Sequence, residues 1–248
     1  MAYRTGRFVW FELVTPNVDD GVAFWTEVAG LGVTEVPMGP GGTYKMFTRD
    51  GKTQGGAAPP EMAGVPPHWL SYISVDSVDS KHAAVTKHGG RSIVPPMDIP
   101  NVGRFAVVAD PEGAVFALFR GTTGDEAGSA FAWNELWCKD PGKVLSFYTG
   151  VFGFTSSEMA MPTGAYHVLK LGEESVAGLM ASPDPKVPPM WLPYLAVDDA
   201  DATVARARSQ KGSVHAEPMT VEGVGRFGIV ADRQGAVLGV LKPAPRTA

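Results

Sequence analysis

A single cysteine, Cys138, in 248 residues excludes an internal disulfide framework and suits a reducing compartment, so the chain is expected to be cytoplasmic. Long apolar runs are missing too. None approaches the roughly 20 residues of a membrane-spanning helix, and the opening Met1-Ala2-Tyr3-Arg4-Thr5-Gly6-Arg7 lacks the apolar segment of a signal peptide. Positive charge is scattered and outweighed. With a net charge of −5, neither a nucleic acid nor a membrane is an expected partner. The five histidines share no pattern: His82 and His88 fall on a predicted helix as solvated residues, and His167 and His215 carry no partner motif. Cys138 lacks a neighbouring histidine signature, so it is not expected to act as a nucleophile. Gly39-Pro40-Gly41-Gly42 is not a phosphate loop, because neither a helix nor Gly-Lys-Ser/Thr follows it.

Glycine and proline, by contrast, are abundant at 30 and 21 residues, which points to many short strands and turns. The organising feature is a repeat. Phe8-Val9-Trp10-Phe11-Glu12-Leu13 returns as Phe131-Ala132-Trp133-Asn134-Glu135-Leu136, with the two tryptophans 123 positions apart. Phe24-Trp25-Thr26 returns as Phe147-Tyr148-Thr149, Tyr44 as Tyr166, and Val102-Gly103-Arg104-Phe105 as Val224-Gly225-Arg226-Phe227. A constant spacing of 122 or 123 means a tandem duplication, with domains at 1–120 and 131–244 joined by a small-residue polar linker at 121–130.

Each half is itself double. After a strand at about 8–15, Asn17 is a helix N-cap with Asp19 and Asp20 in the first turn, and Gly30 stops the helix. Strands follow at about 33–38, 43–48 and 54–58, the last two joined by a hairpin turn containing Asp50-Gly51. A second unit repeats the plan: a strand at 68–75, a helix carrying Val78, His82 and Val85, and strands at about 92–97, 104–109 and 115–119. The chain therefore reads as an α+β protein of four βαβββ modules, at about 6–58, 68–119, 131–181 and 190–242.

The double βαβββ plan, the aromatic pair in the first helix and the Asp-Pro-x-Gly turn at Asp110 resemble the vicinal oxygen chelate superfamily. That superfamily includes glyoxalase I, extradiol dioxygenases, and fosfomycin- and bleomycin-resistance proteins. The resemblance implies two tandem glyoxalase/bleomycin-resistance-like domains whose cupped mixed sheets hold a ligand. Trp10-Phe11-Glu12-Leu13 is similar to the first strand of the tandem-domain glyoxalase-like branch of actinomycetes, which includes helpers of anthracycline pathways. Enzymes of the superfamily hold a divalent metal through His or Gln on the first strand, His on the fifth and Glu on the last. By this resemblance the positions fall on Trp10, Leu70 and Ala117, and again on Trp133, Leu192 and Gly239. None of the six side chains is an imidazole, carboxylate or carbonyl donor. No cofactor and no metal are therefore expected; a divalent metal is the alternative, reached by a two-residue slip to Glu12 and His68.

Residues two apart on a strand share a face, so Trp10 stands with Glu12 and Trp133 with Glu135. Two readings stand side by side. Trp10, Trp133, Tyr72 and Tyr194 are core aromatics, or they line a pocket in which tryptophan stacks on a flat ligand and glutamate orients it. Arg104 and Arg226 are ion-pair partners, Arg104 of Glu12, or they are ligand contacts. His68 is a rim residue or a base, Phe119 joins Ala117 in the lining, and Met97 and Met219 are adaptable wall. The expected function is binding of a flat aromatic small molecule or natural product. The alternatives are a lyase, isomerase or oxygen-handling tailoring enzyme with Glu12 or Glu135 as base, or a scaffold with closed cups. The expected partner is a small-molecule ligand, and the chain is expected to be a monomer or homodimer.

Overall fold

The computed structural model describes residues 5–38, 42–124, 130–161 and 164–245. Residues 39–41 of the Gly-Pro-Gly-Gly turn, and 125–129 of the expected linker, lie outside the described residues. The first module is β1 (Phe8–Val14), α1 (Val18–Ala29), β2 (Gly32–Pro37), β3 (Thr43–Arg49) and β4 (Lys52–Ala58). The second is β5 (His68–Ser74), α2 (Val78–Lys87), β6 (Arg91–Ile99), β7 (Gly103–Ala109) and β8 (Val115–Gly121). The third is β9 (Phe131–Cys138), α3 (Pro141–Phe152), β10 (Thr155–Met161), β11 (Gly164–Leu171) and β12 (Glu174–Ala181). The fourth is β13 (Met190–Ala196), α4 (Ala200–Ser209), β14 (Ser213–Val221), β15 (Gly225–Ala231) and β16 (Val237–Pro243).

Local chemistry explains these boundaries. The Asn17 side chain accepts from the Asp20 amide at the start of α1, and Gly30 closes it with φ 67°. Asp140 caps α3 with Pro141 in the first turn, and Gly153 ends it at φ 72°. One element departs from expectation in length. The strand expected at 92–97 runs from Arg91 to Ile99, with register shifts between Ser92 and Val94 and between Val94 and Met97, the second spanning Pro95 and Pro96. Proline lacks an amide donor, so the ladder continues only by bulging, which an edge strand tolerates.

Two eight-stranded mixed sheets result, in the orders β2-β3-β4-β1-β5-β8-β7-β6 and β10-β11-β12-β9-β13-β16-β15-β14. The α+β plan of four βαβββ modules is as the sequence implies. Among the described residues no helix is long and apolar enough to cross a membrane. Contacts group the chain into two compact units, one made of the second and third modules and the other of the first and fourth.

In the unit of the second and third modules, Tyr148 is fully buried among Phe116, Phe147, Phe152 and Trp191. Its hydroxyl accepts from Trp191 Nε1 at 2.9 Å and donates to Asp110 Oδ2 at 3.3 Å. The other Asp110 oxygen accepts the amides of Glu112, Gly113 and Ala114 at 2.8 to 3.0 Å. In the unit of the first and fourth modules, Trp25 packs edge-on against Phe24 and Trp69, and Asp232 accepts the amides of Gln234, Gly235 and Ala236.

Burial pushes both Asp110 and Asp232 above the ordinary carboxylate range, and the backbone amides pull the other way. The folded chain therefore holds these protons more tightly than the unfolded chain. The stability this brings is complete below the ordinary carboxylate value and is lost as pH rises through the raised one. Asp110→Ala leaves buried amides without an acceptor and is expected to cost roughly 1–3 kcal/mol in urea denaturation. Asp110→Asn, which keeps an acceptor, should lose less and flatten the dependence of stability on pH.

Candidate functional site

Along β1, Val9, Phe11 and Leu13 are buried, while Phe8, Trp10, Glu12 and Val14 are half-buried on the opposite face. Leu13 lies against Gly21 of α1 and Phe11 stacks on Phe131, so the odd-numbered residues face the helix-side core. That leaves Trp10 and Glu12 on the face away from α1.

There a third residue joins them. Tyr44 of β3 accepts from Trp10 Nε1 at 3.3 Å and donates to Glu12 Oε1 at 2.7 Å. The phenol reaches Glu12 by lying across β4, over Gly56, which pairs directly with Glu12. A Cβ on Gly56 would fall 1.8 Å from the Tyr44 hydroxyl oxygen, so only glycine permits the crossing.

The second half repeats the device with a shorter indole-to-phenol contact. Trp133 Nε1 donates to Tyr166 Oη at 2.8 Å, and Tyr166 donates to Glu135 Oε2 at 2.8 Å. Gly178 stands opposite Glu135, and a Cβ there would lie 1.9 Å from the Tyr166 oxygen. An extra donor completes this copy: Trp137 Nε1 reaches Glu135 Oε1 at 2.7 Å. Burial, reinforced by the adjacent glutamate charge, holds the Tyr44 and Tyr166 phenols well above their ordinary range. Both remain protonated donors at any ordinary pH.

The other expected site residues fall in distinct places. Tyr72 pairs with Ala117 and meets Phe119 edge-on at 6.2 Å between centroids. Phe119 also pairs with Phe105, and Phe105 with Met97, giving an apolar row across three strands. In the fourth module the Tyr194 ring covers Gly239, where a Cβ would lie 2.3 Å from it, and meets Phe227 edge-on at 5.8 Å. Leu70 and Leu192 are buried. His68 begins β5 with Nδ1 2.8 Å from the Pro66 carbonyl.

Arg104 and Arg226 are brought to neither Trp–Tyr–Glu group. Arg104 shares a face with the core residues Ala106 and Val108, which points it at the first turn of α2. It grips both oxygens of Asp79 at 2.8 Å and Asp98 at 3.0 Å, so the suggested pairing of Arg104 with Glu12 is replaced by this one. Arg226 grips Asp201 of α4 in the same way.

Tyr44, Tyr166, Gly56, Gly178 and Trp137 were not among the expected site residues. The recurrence of Tyr44 as Tyr166 and of Gly56 as Gly178, each 122 positions on, was the available signal.

At the six positions that the superfamily resemblance assigns to a divalent ion, the side chains present do not fit one. Trp10, Leu70, Ala117, Trp133, Leu192 and Gly239 offer no hard or borderline donor. Among the described residues no three of His, Cys, Asp and Glu are grouped to hold a metal.

Gly56→Ala is expected to drive the Tyr44 phenol off Glu12 and to cost roughly 1–3 kcal/mol of stability in urea unfolding. Tyr44→Phe, which deletes only the hydroxyl, should cost about 1 kcal/mol. Burial, with Glu112, Asp110 and Asp140 nearby, pushes the Cys138 thiol up to about 12. The native protein should therefore resist Ellman's reagent at pH 8 and react fully once unfolded.

The family model described as Glyoxalase/Bleomycin resistance protein/Dioxygenase superfamily matches residues 7–118 and 130–240. CFP32 of Mycobacterium tuberculosis (strain CDC 1551 / Oshkosh) is 41% identical over 257 residues, covering 98% of this chain and 97% of that one. Anthracycline biosynthesis protein DnrV of Streptomyces peucetius is 30% identical over 260 residues, covering 97% and 94%. The Mn(II)-bound glyoxalase from Novosphingobium aromaticivorans superposes with a TM-score of 0.66 at 16% identity, covering 98% and 89%. The 2,3-dioxygenase LapB from Pseudomonas sp. KL28 gives 0.63 at 12%, covering 98% and 96%. These two structures share the fold alone. With both halves matched by the family model, this chain belongs to the Glyoxalase/Bleomycin resistance protein/Dioxygenase superfamily.

Proposed function

We propose that this protein binds a flat aromatic small molecule, without a resident metal ion, and sequesters it or presents it to a pathway enzyme in the cytoplasm. The observation that carries the reading is the Trp–Tyr–Glu relay, built twice around Trp10 and Trp133, the positions that the superfamily resemblance assigns to a metal ligand. An indole face favours an aromatic ring, with stacking worth roughly 0.5–1.5 kcal/mol beyond buried area. A carboxylate beside it selects a ring that carries a hydroxyl or amine donor. The relative from Streptomyces peucetius supports the ligand class, since anthracyclines are flat, hydroxylated ring systems. Each relay lies within one chain, so the function needs no second copy.

The test is a titration of intrinsic tryptophan fluorescence with quinizarin, a flat hydroxyanthraquinone. Saturable quenching is expected, and the double variant Trp10→Phe, Trp133→Phe should bind at least tenfold more weakly. Absence of saturable quenching sinks the proposal. Metal analysis of purified protein should find less than stoichiometric zinc, manganese, nickel or iron; one equivalent per chain would overturn the metal-free part. If a turnover were found and Glu12→Gln abolished it, the enzyme reading with Glu12 as base would take over.

A further inference from the structure

The unit of the first and fourth modules also holds a cleft of about 600 Å³ at the C-terminal end of α1, beside α4. Its lining includes the buried Ala29, the half-buried Arg49, and the exposed Glu27, Asp50, Asp198 and Arg206. Oxygen acceptors hold both arginines in place. Arg49 donates through Nη1 to the Ala196 carbonyl at 2.5 Å and through Nη2 to the Ala29 carbonyl at 3.2 Å. Arg206 donates through Nε to the Val28 carbonyl at 3.0 Å and through Nη2 to Thr203 Oγ1 at 2.9 Å. Each spends two of its five N–H groups this way. Among the described residues neither forms an ion pair, although Glu27, Asp50 and Asp198 line the same cleft. Arg104, Arg226 and Arg233, by contrast, each grip an aspartate. Burial pulls the Arg49 guanidinium below its ordinary value, against the opposing pull of Asp198 and Asp50.

The duplicated half shows that the fold does not require these charges. Glu27, Arg49, Asp50 and Arg206 correspond there to Gly150, Leu171, Gly172 and Ala84. A single ammonium serves that helix end: Lys81 Nζ reaches the Val151 carbonyl at 2.8 Å and lies 5.9 Å from the centre of the Phe152 ring. Phe152 is the counterpart of Ala29, each being the last residue of its helix. The cleft therefore lacks a phenyl ring that the other half supplies from its own chain.

We propose that this cleft is a second binding site, and that its ligand is a free aromatic α-amino acid. The ligand's carboxylate meets the forked N–H donors of Arg49 and Arg206. Its ammonium meets Glu27, Asp50 and Asp198, and its ring takes the place beside Ala29 that Phe152 fills in the other half. Both charges are needed for the fit. A plain anion would face three carboxylates and a plain cation two arginines, whereas a zwitterion answers both. The volume suits such a ligand, since small-molecule sites span roughly 300–1,000 Å³. The site is separate from the Trp10 relay and does not rest on the function proposed for it.

Equilibrium dialysis with radiolabelled L-phenylalanine reads stoichiometry and affinity together. One equivalent per chain is expected. As competitors, 3-phenylpropionate and phenethylamine, which each lack one of the two charges, should be at least tenfold weaker than phenylalanine itself. Ala29→Phe and Arg49→Leu copy residues that the other half carries, and each should weaken binding at least tenfold with the circular dichroism spectrum unchanged. Should either fail to fold, Arg206→Ala, also copied from the other half, decides, with the same loss expected. Saturating quinizarin should leave phenylalanine binding as it was. No binding of phenylalanine, equal competition by either singly charged analogue, unchanged affinity in the folded variants, or displacement by quinizarin would each overturn the second site. The quinizarin titration, which tests the aromatic-ligand function, stands or falls by itself.

Discussion

A phenol lying across a glycine ties together the residues on which the rest of this structure depends. Tyr44 can reach Glu12 only because Gly56 carries no side chain at the point where the strands pair, and Tyr166 reaches Glu135 over Gly178 for the same reason. A carboxylate on a half-buried sheet face is costly unless it has donors. The tyrosine supplies one, and the tryptophan two residues earlier on the glutamate's strand holds the tyrosine in turn. Three residue types and one absence of a side chain thus make a single rigid group. It presents an indole and a carboxylate at fixed separation, which is the preorganisation a ligand site needs.

Everything behind that group serves to keep it still. The opposite face of β1 is closed by α1 and by Phe131, and the opposite face of β9 contributes Leu136 and Cys138 to the core around Tyr148. The buried aspartates at the β7–β8 and β15–β16 turns each gather three amides, which fixes those turns against the aromatic cores. Arg104 and Arg226 contribute on the helix-bearing side by clamping the first turns of α2 and α4.

Much of the architecture could be read before the fold was known, because its signals are local or repeated. The caps at Asn17 and Gly30 and the period-two burial of Phe8 to Val14 follow from backbone chemistry that a short window contains. The duplication stands out through Trp10 and Trp133. The relay's middle member was harder to see. Tyr44 is 32 residues from Glu12, and only strand pairing over Gly56 brings them together. The same blindness to register put Arg104 beside Glu12 in expectation. One-residue parity decides which side of β7 a residue faces, and parity placed Arg104 toward Asp79. Trp137 escaped notice because its counterpart is Val14, and a repeat-based search favours what recurs over what differs.

The fold is one whose solved members include a manganese-bound glyoxalase and a 2,3-dioxygenase, and at the positions that the superfamily resemblance assigns to metal ligands this chain carries Trp10, Leu70, Ala117, Trp133, Leu192 and Gly239. The account therefore turns on what lies against Trp10. The most direct measurement is a crystal structure of the protein grown with quinizarin. The account predicts the ring system stacked on the Trp10 indole with a hydroxyl on Glu12, and no metal ion within coordination distance of β1. A ring bound away from Trp10, or a metal ion held by Glu12 or His68, would contradict it.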